Sequence, residues 1–99
     1  MAMGLTTEDR RELESLIKAA AHDPRVPVGI ANRLLPSQGN IEDFAYGLSS
    51  GMVLGNFAAQ FNSRNGRELD RDEIADLISI VMTKMPKLRI AIKKQLGMH

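Results

Sequence analysis

Apolar residues recur along this chain three and four positions apart, the spacing of a helix face, and nowhere alternate over the length of a strand. The first stripe is Leu13, Leu16, Ile17 and Ala20, set against Arg10, Arg11, Glu14 and Lys18. Thr6 or Thr7 caps its start, and Glu8 and Asp9 occupy the first turn, where the helix dipole favours anions. Pro24 pushes Asp23 out of the α region and ends this helix near residues 21–22. A short second helix is predicted over 28–35, with Pro27 in its first turn and Pro36 closing it. Val28, Ile30, Ala31, Leu34 and Leu35 are its apolar positions, and residues 36–39 read as a turn.

The longest unbroken helical segment is residues 40–61, NIEDFAYGLSSGMVLGNFAAQF. On a helical wheel, Ile41, Phe44, Leu48, Met52, Gly55 and Ala59 share one side, and Tyr46, Val53, Leu54, Phe57 and Phe61 lie across from them. Only Glu42, Ser49, Asn56 and Gln60 are left for water, and a helix apolar nearly all round is expected to be buried. Gly47, Gly51 and Gly55 form one bare ridge. Glycine in a helix costs about 1 kcal/mol against alanine, so three in register predict a close helix neighbour, within the chain or across a two-fold axis.

Residues 62–67, with the pair Asn65-Gly66, read as a polar turn. Asp70 and Glu73 then stand at capping-box spacing, flanked by Leu69 and Ile74 where a hydrophobic staple belongs. Ile74, Leu77, Ile78, Val81, Met82 and Met85 form the expected core stripe, with Ile80 off it. Pro86 kinks this helix or begins another. Leu88, Ala91, Ile92 and Leu96 carry a last stripe, and Gly97 suits a C-terminal cap. The prediction is all-α: a compact bundle of four to five helices around a long central helix at about 40–61. Residues 1–99 make a single domain, with 1–5 disordered.

The register of residues 57–82 resembles a degenerate, non-calcium-binding EF-hand. Phe61 precedes the loop, Asn62 takes the first ligand place, Leu69 the eighth, Asp70 the ninth, Glu73 the twelfth, and Ile74 follows. Arg64 and Gly66 occupy the third and fifth ligand places, and Arg67 stands where the sharp turn has glycine. Calcium takes 6–8 oxygen ligands, and this loop supplies too few beside two arginines. The resemblance therefore implies a shape and no metal.

Composition excludes more than it proposes. The chain has no cysteine, which removes disulfides, thiolate metal sites and a cysteine nucleophile. Its three Phe, one Tyr and absent Trp leave the core to aliphatic and methionine side chains. No segment approaches the ~18 apolar residues of a membrane span, and the opening MAMGLTTEDRREL lacks the apolar stretch of a secretory signal. A cytoplasmic protein is expected. His22 and His99 have no partner at catalytic or metal-ligand spacing. The acidic groups at 42–43 and 70–73 are accounted for by helix starts. No catalytic residue, cofactor or metal is predicted, and the chain is not read as an enzyme.

The net charge of +1 hides an asymmetry: no acidic residue follows Asp76, while Lys84, Lys87, Arg89, Lys93 and Lys94 do. On the wheel of the last helix, Ile90 lies among Lys87, Lys93 and Lys94, off the Leu88–Ile92–Leu96 face. Surplus apolar surface, including Ile80, Ile90 and six methionines (Met1, Met3, Met52, Met82, Met85, Met98), predicts a small protein–protein interaction module, self-associating or part of a larger assembly. Lys87, Ile90, Lys93, Lys94, Gly47, Gly51 and Gly55 are its candidate contact residues. The alternative is binding of nucleic acid or another anionic surface through the basic last helix, which would depend steeply on salt.

Overall fold

The computed structural model describes residues 4–34 and 40–97, five α-helices with no strand among the described residues. Met1, Met3, Leu35, Pro36, Gly39, Met98 and His99 lie outside the described residues. The helices are α1 (Thr7–His22), α2 (Arg25–Leu34), α3 (Ile41–Asn65), α4 (Arg71–Lys84) and α5 (Pro86–Gln95).

Helix starts follow the local chemistry. Asp9 N–H donates to Thr6 Oγ1 and Thr6 N–H to Asp9 Oδ2, each at 3.1 Å, a closed capping box. Asp70 and Glu73 exchange the same pair of bonds at 2.8 Å. Asn40 Oδ1 accepts from Asp43 N–H at the head of α3. Helix α2 begins at Arg25, three residues before the expected start, because Pro24 supplies the carbonyl that Val28 N–H reaches at 3.2 Å. Pro27 falls in that first turn, where its missing N–H leaves no bond unmade. Pro86 opens a separate helix, with Met85 buried at the corner.

Helix α3 runs four residues beyond the expected end at 61. Gly66 terminates it in the left-handed region (φ +65°), donating its N–H to Asn62 O at 2.8 Å. Asn62, Ser63, Arg64 and Asn65, read as part of a polar turn, are therefore helical. Leu5, assigned to a disordered start, is instead buried: its N–H donates to Asp76 Oδ2 at 2.9 Å. Gly4 lies at φ +70°, and a Cβ there would collide with the Asp76 carboxylate.

One hydrophobic core runs through the molecule, with Leu13, Phe57, Phe61, Met85, Leu88 and Ile92 its largest fully buried side chains. Helices α1, α2 and α5 pack on α3, while α4 comes close only to α1 and α5 and not to α3. The fold is an all-α bundle measuring 49 × 22 × 19 Å. A 25-residue helix is about 37 Å long at 1.5 Å per residue, and α3 has that length.

Candidate interaction surfaces

Helix α3 buries Glu42, Ala45, Ser49, Val53, Phe57 and Phe61. Two of these, Glu42 and Ser49, belong to the strip assigned to water. Conversely, Phe44, Met52, Gly55 and Ala59 of the expected interior side are exposed. Glu42 can be buried because Arg89 from α5 pairs with it and Lys93 Nζ lies 4.0 Å away. Arg89 also pairs with Asp43 and lies 5.0 Å above the Tyr46 ring, a cation–π contact. Its guanidinium is held more strongly protonated than usual, chiefly by the hydrogen bond to Asp43.

Those contacts reshape the basic helix. Arg89 and Lys93 face acidic groups of α3, whereas Lys87 and Lys94 have no carboxylate within 4 Å among the described residues. Ile90 is 55% exposed beside them.

The glycine ridge is bare. Gly47, Gly51 and Gly55 are all exposed, and a Cβ built on any of them would meet no atom within 4 Å. Among the described residues, the close helix neighbour expected there is absent.

Helix α4 shows the largest departure. Its expected core positions Ile74, Ile78 and Met82 are 43%, 53% and 75% exposed, one uncovered stripe at i, i+4 and i+8. The helix is turned so that Glu73 and Ile80 are buried, with Leu77 and Val81 half-buried. Ile80, the residue read as surplus, is thus a core residue. The rotation has a polar anchor: Arg67 donates to both oxygens of Glu73 at 2.7 and 2.9 Å and lies 5.1 Å from the Phe61 ring. That bidentate bond holds the Glu73 carboxyl below its ordinary pKa. At the other edge, Arg10 reaches Asp76 at 2.9 Å. Both polar contacts draw one side of α4 inward and leave the apolar stripe outside.

Between α4 and the last turns of α3 lies an open groove of about 610 Å³, lined by Ala58, Ala59, Asn62, Ser63, Glu68, Leu69 and Ile74. Helix α2 carries a second uncovered row, Val26, Ile30 and Leu34. The sequence did not single out Val26, and it placed Ile30 and Leu34 among the apolar positions of this helix together with Val28 and Ala31, which alone of these four are buried.

At the residues of the EF-hand-like register, Asn62 and Arg64 lie within α3, and Arg64 reaches back to Asp9 (3.0 Å) and Glu12 (2.6 Å) of α1. Both Glu73 oxygens are engaged by Arg67. Among the described residues, no three histidine or acidic side chains converge as a metal site, and no helix is long and apolar enough to cross a membrane. His22 is exposed at the end of α1. Compared with family models, curated proteins and solved structures, the chain matches none, so its surfaces alone carry the functional reading.

Proposed function

We propose that this protein is a small helical interaction module that self-associates through α4 and the groove beside it. The observation that carries this reading is the uncovered stripe Ile74–Ile78–Met82 next to a groove with an apolar wall. Scattered apolar side chains are normal on surfaces; a stripe about two turns long on a helix, with no described residue covering it, supports a docking function. Met82, the most exposed of the three, suits a contact that must adapt its shape. The bare ridge of α3 offers a further place where a helix of another copy can approach closely.

The EF-hand-like register enters this reading as shape alone, a helix–loop–helix whose helices diverge and leave a groove. The protein works by contact, without a cofactor, in the cytoplasm. Binding of a polyanion through α5 is the weaker alternative, because Arg89 and Lys93 already face Glu42 and Asp43.

Light scattering on a size-exclusion column at two salt concentrations tests the proposal. The mass should exceed one chain at micromolar concentration and change little with salt. Ile78→Asp should reduce it to a single chain with the helical circular dichroism intact. Burial of such a side chain is worth about 1.5–3 kcal/mol, or roughly one to two decades in affinity. An unchanged mass for Ile78→Asp excludes α4 as the interface. Ile90→Asp, made in parallel, reports whether α5 contributes.

A further inference from the structure

Away from the α4 groove, the inner side of α1 and the corner between α4 and α5 enclose a pocket of about 400 Å³. Ile17 and Ala21 supply its apolar lining, while Lys18, Lys84 and Lys87 line it together with one acidic residue, Glu14. None of these lysines has a carboxylate within 4 Å among the described residues. Lysines elsewhere on a surface are solvated singly; here three from three separate helices converge on one concavity, with Lys84 half-buried. Helix α5 adds to this, since it starts at Pro86 with no side chain capping its first turn and Lys87 in that turn.

The geometry points to a binding site for a small organic phosphate, a phosphate monoester whose apolar group rests on Ile17 and Ala21 while its dianionic head is shared by Lys18, Lys84 and Lys87. The volume lies in the range of small-ligand sites. Lysine binds phosphate as a point charge, and three such charges suit a dianion better than a carboxylate. Glu14 faces the same space and accepts a hydrogen bond from a hydroxyl or amine on the ligand, disfavouring a second anionic group. The site is independent of self-association.

The test is a titration of the full chain with phenyl phosphate, followed by amide chemical shifts and calorimetry, beside benzoate, inorganic phosphate and a single-stranded oligonucleotide. Saturable binding of phenyl phosphate is expected, with shifts centred on Ile17, Ala21 and Lys87. Inorganic phosphate and benzoate should each bind more weakly. Affinity should rise between pH 5 and pH 8 as the monoester takes its second charge near pH ~6. Each lysine contributes a charged hydrogen bond, so Lys18→Gln and Lys87→Gln should each weaken binding roughly tenfold. Lys84→Gln should do the same if its circular dichroism is unchanged; should it unfold, the other two variants decide the matter. Absence of saturation at millimolar phenyl phosphate overturns the site, as does equal binding by Lys18→Gln and Lys87→Gln. Equal affinity for inorganic phosphate removes the role of the apolar lining. Tight oligonucleotide binding without phenyl phosphate binding replaces the pocket with a polyanion surface.

Discussion

Helices α3 and α4 follow one another in the chain, are both rich in apolar residues, and are treated in opposite ways by the fold. Helix α3 is contacted by α1, α2 and α5, and along one row of its surface every side chain from Ala45 through Phe61 at the inward positions is buried. Among the described helices, α4 lies close only to α1 and α5. Its inward side is held by Glu73 and Ile80, and three apolar residues remain outside. The difference teaches that apolar content fixes how much of a helix can be buried, while neighbours and ion pairs fix which side is. On α3 the Arg89 pair draws an acidic residue inward; on α4 the Arg67 pair does the same and turns an apolar stripe to the surface.

The contrast is sharpest for truncation to alanine. Phe57→Ala removes a fully buried ring and should cost about 3–5 kcal/mol in urea unfolding. Ile78→Ala should change monomer stability by no more than about 0.5 kcal/mol at concentrations where the chain is monomeric. Equal losses would show that α4 is packed as tightly as α3.

Two glycines divide the same way. Gly66 holds a left-handed cap between the helices, and Gly66→Ala should cost about 1–2 kcal/mol. Gly51 lies in the middle of α3 with open space around it, so Gly51→Ala should stabilise by up to about 1 kcal/mol. A lower melting temperature for Gly51→Ala in dilute solution would reveal a neighbour on the ridge.

The anchor of α4 should respond to acid. The Arg67 bond lowers the Glu73 pKa in the folded state, so Glu73 contributes stability above its ordinary pKa of about 4.3. That contribution is lost as the pH falls through the lower folded value. The melting temperature should therefore fall below about pH 4.3, and Arg67→Met should flatten that part of the curve. The smallest expected effect is a null one: calcium titrated by calorimetry at sensor concentrations should give no saturable heat, since Arg67 occupies both Glu73 oxygens.

Much of the framework is legible locally. Thr6 with Asp9, Asp70 with Glu73, and Asn40 mark three helix starts, because a capping side chain and its amide lie within three residues of one another; Pro86 marks a fourth through its fixed φ at the first helical position. The α1 stripe is also legible, since Leu13 and Ile17 both face the core. Ile90 lies exposed where its wheel position puts it. The lysine pocket was not legible, because Lys18 stands 66 positions before Lys84 and only folding brings α1 to the α4–α5 corner.

By itself, then, the sequence determined the class of fold, the helices and most of their starts, since hydrogen bonding within a helix and at its cap is settled by near neighbours. The facing of α3 and α4 was decided only by tertiary structure. Glu42 is separated by 47 positions from the arginine that neutralises it, and no periodicity can report a partner that distant. Burial of a carboxylate is unfavourable unless it is paired. Where Arg89 forms that pair across the fold, α3 turns against its own apolar pattern.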